Sequence, residues 1–214
     1  MRGLYGMIDL PSADSPDPLP FLHALLDGGA RTIQLRMKGA SAGSMLAVVE
    51  RLRPICRGRA RFIVNDRLDV ALAGGADGVH LGQDDLSLED ARKQVPRGFL
   101  IGISTHDEAQ ARRAQGADYL GFGPIFPTTS KDRPDPVVGI EQLRSICRAS
   151  SIPVVAIGGI SLASVPDLVS AGAAAVAIIG AIRNSDDVTA AVRQVNAAFG
   201  LVAPSPAPAT RRGT

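Results

Sequence analysis

Short β-branched runs alternate with helical patterns eight times along this chain, and no other feature restricts its fold as strongly. The runs are Leu4 to Leu10, Thr32 to Lys38, Arg61 to Asp66, Gly78 to Gly82, Leu100 to Thr105, Tyr119 to Phe126, Pro153 to Ile160 and Ala175 to Ile182. Between them lie stretches such as Ala42 to Arg57, Leu88 to Val95, Asp107 to Ala114, Ile140 to Ala149 and Asp187 to Phe199, with apolar residues at spacings of three and four. Strands apolar on both faces and joined by helices belong to parallel sheets. Gly29-Ala30, Gly75-Ala76, Gly116-Ala117 and Gly172-Ala173 each precede an even-numbered run. Gly there supplies a left-handed helix end, and Ala lets that end pack tightly on the sheet. The regularity predicts an α/β fold, a single closed (βα)8 TIM barrel over residues 1–200, in preference to an open doubly wound sheet. Residues 201–214, with Pro204, Pro206, Pro208 and Arg211-Arg212, read as a disordered Pro-rich tail.

Charge narrows the partners. The chain of 214 residues carries 23 basic and 21 acidic residues, spread evenly, so no basic face for nucleic acid is expected. Small charged metabolites remain. Cys56 and Cys147 fall in helical patterns without a His or second Cys at ligand spacing, and are expected to be free thiols in a reducing compartment. No apolar stretch approaches the roughly 20 residues of a membrane span. A soluble, cytoplasmic protein is expected, with homo-oligomerisation left open.

In such barrels the active site lies at the C-terminal ends of the strands. After the second strand, alternation sends Gln34, Arg36 and Lys38 to one face, expected to be the interior, where two cations call for an anion between them. Asn65-Asp66 follows the third strand and Gly82-Gln83-Asp84-Asp85 the fourth, so carboxylates converge in a pattern suited to Mg²⁺. Asp85 or Ser87 could instead cap the helix that begins near Leu88. Ser104-Thr105-His106 ends the fifth strand and reads equally as substrate contact or helix cap. His23 and His80 read as structural. After the sixth strand, Thr128-Thr129-Ser130-Lys131 gathers donors for phosphate oxygens, on a loop from Pro127 to Val138 long enough to close over a ligand. Gly158-Gly159 and Ile179-Gly180, after the last two strands, let backbone N–H groups approach a second anion.

Taken together, Gln34-Leu35-Arg36-Met37-Lys38, Asn65-Asp66-Arg67, Val79-His80-Leu81-Gly82-Gln83-Asp84-Asp85, Gly123-Pro124-Ile125-Phe126-Pro127-Thr128 and Ala156-Ile157-Gly158-Gly159-Ile160 resemble the thiamine-phosphate synthase family across residues 4–200. The resemblance implies a transferase that joins 4-amino-2-methyl-5-hydroxymethylpyrimidine diphosphate to thiazole phosphate with Mg²⁺ as cofactor. It implies that Gln34, Leu35, Arg36, Met37, Lys38, Asn65, Ser104 and Lys131 contact the pyrimidine diphosphate, and that Asp66 and Asp85 hold the metal. Thr128, Thr129 and Ser130, with Gly159, Ile179 and Gly180, would hold the thiazole phosphate. Arg36, Lys131 and Ser104 are the catalytic candidates. The chain departs from the family pattern at Met37, where Asp or Glu is usual, at Ser130, where Thr is common, and at Gly180, where Ser is frequent.

Three rivals follow from the same residues. A thiazole tautomerase of the same fold would need no metal and would use His106, whereas the Asp66 and Asp85 pair favours a metal. A silent binder of thiazole or thiamine phosphate is disfavoured by retention of Arg36, Lys38 and Lys131. A sugar or indole phosphate isomerase lacks an evident acid and base pair on the rim.

Overall fold

The computed structural model describes residues 1–11, 15–128 and 135–202, and its eight parallel strands close into a barrel in chain order. The strands are β1 (Gly3–Asp9), β2 (Thr32–Arg36), β3 (Arg61–Asn65), β4 (Gly78–Leu81), β5 (Leu100–Thr105), β6 (Tyr119–Phe122), β7 (Val154–Ile157) and β8 (Ala175–Ile178). The helices are α1 (Leu19–Asp27), α2 (Ala42–Cys56), α3 (Leu68–Ala73), α4 (Leu88–Gln94), α5 (Glu108–Arg113), α6 (Gly139–Ala149), α7 (Val165–Ser170), α8 (Gly180–Arg183) and α9 (Val188–Ala198). Tyr5 pairs with Thr32 of β2 on one side and Ala177 of β8 on the other, which closes the ring. No helix among the described residues is long and apolar enough to cross a membrane. The expected tail beyond Val202 lies outside the described residues.

The expected barrel is present; β5 spans its run as expected, and the other strands stop earlier than the apolar runs. β6 ends at Phe122 instead of Phe126 because Pro124 has no N–H for the ladder. The chain nevertheless stays beside β7, with Ile125 N–H donating to the Ile157 carbonyl at 2.9 Å and Phe126 N–H to that of Gly158 at 3.1 Å. β7 ends at Ile157 rather than Ile160, where Gly158 and Gly159 take φ of 87° and 67°. β8 ends at Ile178, and the rest of that apolar run, through Ile182, turns into α8.

Three of the four Gly-Ala pairs act as expected. Gly29, Gly75 and Gly172 have φ of 93°, 63° and 99°, and the Ala after each donates its N–H to a carbonyl five residues back. Gly116 is the exception, since its φ is not positive and Ala117 N–H reaches only three residues back, to Ala114. That helix end is a tighter turn.

Two apolar layers result from strand alternation. The larger lies between strands and helices and holds Leu25, Leu35, Leu52, Phe62, Leu81 and Val192, all buried. The smaller fills the barrel with Tyr5, Tyr119, Val155 and Ala175, against which Met7, Ile157 and Ala177 pack. Gly102 makes room for the Tyr119 ring, because a Cβ there would stand 2.1 Å from Tyr119 Cζ. Gly102→Ala is therefore expected to destabilise the chain by about 2–3 kcal/mol, measured as a lower urea midpoint at unchanged slope.

The seam between the chain's two ends is polar. Asn196 of α9, 3% exposed, accepts the Leu4 N–H at 2.9 Å and donates its amide to the Gly28 carbonyl at 3.2 Å. One side chain thus ties the last helix to the first strand and to the end of α1.

Cys56 and Cys147 are unpaired, as expected. Burial pushes their thiols up to about 12 and about 11, so neither is a ready nucleophile.

Candidate active site

A cavity of about 510 Å³ opens at the C-terminal ends of the strands. Its floor divides by strand. The side made by β1 to β6 is polar, with Tyr5, Gln34, Asn65, His80, Ser104 and Tyr119 pointing inward, while Met7, Val155, Ile157 and Ala177 make the side of β7, β8 and β1 apolar.

The polar residues are joined by hydrogen bonds. Gln34 Nε2 donates to Asn65 Oδ1 at 2.9 Å, and Gln34 Oε1 accepts from Tyr5 Oη at 2.7 Å. Tyr5 and Tyr119 hydroxyls lie 2.7 Å apart, Tyr119 Oη is 3.1 Å from His80 Nδ1, and His80 Nε2 is 2.9 Å from Ser104 Oγ. The imidazole also stacks on Tyr119, with ring centroids 5.4 Å apart. Burial, and for Tyr5 the neighbouring phenol, raises both tyrosines well above their ordinary range, so both stay protonated.

Gln34, Arg36, Asn65, Ser104, Thr128, Gly159, Ile179 and Gly180 all line this cavity, as the family resemblance implies for substrate contacts. Leu35 and Met37 do not. Alternation turns both outward into the layer beneath the helices, where they are 0% and 2% exposed, so only their backbone is available to a ligand. Lys38 is exposed beyond the end of β2 instead of pointing into the interior. Arg36 does reach the interior, and an anion already faces it: Nη1 lies 2.7 and 2.8 Å from the two carboxylate oxygens of Asp9. Thr129, Ser130 and Lys131 lie outside the described residues.

Asp66 and Asp85 meet just past the ends of β3 and β4; neither lines the cavity itself, though Asp66 directly follows Asn65, which does. The Asp66 backbone is unusual, with φ of 62° in the only non-Gly residue of positive φ among the described residues. Arg67 N–H donates back to the Asn65 carbonyl at 2.7 Å, which closes a three-residue turn about Asp66, and Asp66 N–H donates to His80 O at 2.8 Å. Such a conformation costs on the order of 1–3 kcal/mol and persists where the surroundings enforce it. Asp85 is held from the next strand, its Oδ2 accepting Gly82 N–H at 2.6 Å. Ser87 caps α4 by accepting Asp90 N–H at 3.1 Å, so the cap role falls to it and leaves Asp85 to Asp66. Burial first, then the charge of Asp85 and a hydrogen bond with it, raise Asp66 to about 6, against the opposing pull of Lys38 and Arg36.

That pair has the donor chemistry of a Mg²⁺ site. Two carboxylates within hydrogen-bonding reach of each other are a donor set that a hard dication relieves, and Mg²⁺ uses one or two carboxylates with water and substrate oxygens completing its shell. Among the described residues no group of three or more His, Cys, Asp or Glu could hold a metal. The residues fit.

Ser104, Thr105 and His106 divide their roles. Ser104 faces the cavity, and Thr105 is wholly buried with its hydroxyl on the Gly121 carbonyl at 3.2 Å. His106 also lines the cavity, with Nδ1 2.5 Å from Gly123 O and Nε2 3.4 Å from Asp135. Asp107 is the cap, accepting Gln110 N–H at 2.7 Å. Both described ends of the long loop are pinned at its base, since Val138 N–H donates to Pro124 O at 2.9 Å while Ile125 and Phe126 hold to β7.

A family model described as thiamine monophosphate synthase matches residues 8–182. The thiamine-phosphate synthase of Methanospirillum hungatei JF-1 is 47% identical over 195 residues, covering 90% of this chain and 95% of that one. The chain belongs to the thiamine monophosphate synthase family. The thiamine-phosphate synthase of Anaeromyxobacter dehalogenans is 46% identical over 201 residues, covering 93% of this chain and 88% of that one. Among solved structures, the thiamine phosphate pyrophosphorylase from Pyrococcus furiosus superposes with a TM-score of 0.79 at 36% identity, covering 92% and 95% of the two chains. A 3-hexulose-6-phosphate synthase, at 20% identity and a TM-score of 0.65, shares the fold alone. At Gly180, where the thiamine monophosphate synthase family often has Ser, an added Cβ would meet no atom within 4 Å, so the glycine is not imposed by crowding.

Tyr5, His80 and Tyr119 are the site residues that the sequence reading missed. The alternation that placed Gln34 inside β2 places all three inside β1, β4 and β6, but buried aromatics in strands read as core.

Proposed function

We propose that the chain is a thiamine-phosphate synthase that joins 4-amino-2-methyl-5-hydroxymethylpyrimidine diphosphate to 4-methyl-5-(2-phosphoethyl)thiazole, or to its carboxylate, giving thiamine monophosphate and pyrophosphate. The carbon–oxygen bond to the diphosphate breaks with its electron pair on the leaving group, and the thiazole nitrogen lone pair forms the new carbon–nitrogen bond. No protein nucleophile is needed. The observation that carries the reading is the facing pair Asp66 and Asp85, within the field of Arg36 and directly after Asn65, both of which line the cavity. Mg²⁺ held by that pair would supply positive charge to the departing diphosphate. Arg36 adds cationic charge on the same side, the resemblance gives Lys131 the same task, and Asn65 and Gln34 orient the diphosphate ester. Gly159, Ile179, Gly180 and the hydroxyl run from Thr128 to Ser130 receive the thiazole phosphate, and the apolar wall of Met7, Val155 and Ile157 keeps water from the forming cation.

A metal-free tautomerase gives no use for the Asp66 and Asp85 pair, and relatives 46–49% identical to this chain bear the synthase name. The test is pyrophosphate release from the two substrates, with Mg²⁺ and then with chelator. Mg²⁺-dependent release matched by thiamine monophosphate is expected; folded protein that releases none in either condition would overturn the reading.

The raised Asp66 sets a pH dependence. A carboxyl lifted to about 6 binds a proton that the metal must displace, so Mg²⁺ affinity weakens as pH falls through about 6 and is full above it. The gain in melting temperature on adding Mg²⁺ should be clear at pH 7.5 and largely lost at pH 5.

A further inference from the structure

The hydrogen bonds across the barrel floor form one unbroken line of six side chains, Asn65, Gln34, Tyr5, Tyr119, His80 and Ser104. Each phenol has a single proton, so the line can point only one way at a time. Gln34 gives its amide N–H to Asn65 Oδ1, which leaves Gln34 Oε1 to accept the Tyr5 proton. Tyr5 Oη must then accept from Tyr119, whose own oxygen must accept from His80 Nδ1–H. A neutral ring protonated at Nδ1 offers a lone pair at Nε2, and Ser104 Oγ–H donates to it. Ser104 is left with lone pairs only.

A wholly reversed line is equally self-consistent, with Asn65 Oδ1 facing the mouth and the Ser104 proton free. The Asn65 end decides between them. Asn65 lines the cavity next to Asp66, where a diphosphate would lie, and an amide oxygen aimed at that anion would repel it, whereas Nδ2–H₂ donates to it.

We infer that the line is a polarised relay in which the diphosphate, bound by Asn65, fixes His80 in the Nδ1–H tautomer and Ser104 Oγ as a pure acceptor for the ring amino group of the pyrimidine. His80 is a positioning residue that acts through Ser104; the inference rests on the synthase reading for its substrate. The chemistry gives the acceptor a use. As the carbon–oxygen bond breaks, positive charge spreads through the aminopyrimidine onto its amino nitrogen, whose N–H becomes a stronger donor, so an acceptor there binds the transition state better than the ground state.

The chain holds three histidines, His23, His80 and His106, so ring nitrogen NMR of the ¹⁵N-histidine-labelled full chain resolves the tautomer after assignment by single substitutions of the other two. With Mg²⁺ and inorganic diphosphate, His80 is expected as the neutral Nδ1–H form. A Nε2–H or doubly protonated ring overturns the relay. Tyr119→Phe removes the acceptor at Nδ1; the ring should shift toward Nε2–H, and kcat should fall about tenfold with the KM for thiazole phosphate within about twofold, the size of one lost hydrogen bond. Unchanged kcat with a shifted tautomer also overturns it. The tautomer is read without turnover, so its failure is distinct from an absence of pyrophosphate release, which would sink the synthase reading alone.

Discussion

Asp85→Asn is expected to lower turnover on the order of a hundredfold at limiting Mg²⁺, with partial recovery at high Mg²⁺. Asparagine keeps an oxygen for the Gly82 N–H, which Asp85 now receives at 2.6 Å, so the turn before α4 survives while the charge is lost. The same change removes the negative neighbour that helps lift Asp66 toward 6, so the metal-free variant should melt higher than the parent. A lower turnover with a higher melting temperature distinguishes a lost ligand from a damaged fold, and unaltered turnover at limiting Mg²⁺ removes the metal assignment. The strain at Asp66 has the same logic: on the proposed function, a backbone held at φ of 62° and two facing carboxylates are costs borne so that a dication would find its ligands in place.

Gly159→Ala is expected to have the second large effect, at the opposite rim. An added Cβ would stand 2.4 Å from the Pro127 carbonyl oxygen and 2.6 Å from that of Phe126, in a residue whose φ is 67°. Both clashing atoms are backbone, so the segment leading to Thr128 must move away from β7. The KM for thiazole phosphate should rise on the order of tenfold or more, with the KM for the pyrimidine diphosphate little changed, because misplacement of a positioning loop costs rate and affinity steeply. Gly43→Ala provides the control, since no atom lies within 4 Å of an added Cβ in α2 and the change should leave turnover alone. Equal effects on both substrates would mean that the segment after β6 does not serve the thiazole phosphate alone.

Much of this architecture can be read from the chain before folding. Eight apolar runs became eight strands, and the carboxylates predicted to converge do meet, because strand ends in a closed barrel share one rim. Periodicity failed where composition is silent about hydrogen bonding. The run from Ala175 to Ile182 is apolar throughout, yet its first half is β8 and its second half α8, since a short apolar run carries no period of its own. Lys38 was expected inside and is outside because β2 stops two residues before it. Tyr5 and Tyr119 are 114 positions apart, and only closure of the ring brings their hydroxyls to 2.7 Å. His80 read as structural for the same reason: its partners at Tyr119 and Ser104 belong to strands that alternation describes singly and never together.

Asn196 has a consequence for biosynthesis. A ribosome delivers β1 first and α9 last, so the strand that must accept both neighbours waits for nearly the whole chain, 192 positions separating Leu4 from its amide clasp. Until β8 emerges the edge of β1 toward it is open to foreign strands, and until Asn196 emerges that last pairing lacks its clasp on the Leu4 N–H. Nascent chains stalled short of Asn196 should therefore be chaperone clients, and a fragment ending at α8 should aggregate even though it carries every strand of the barrel.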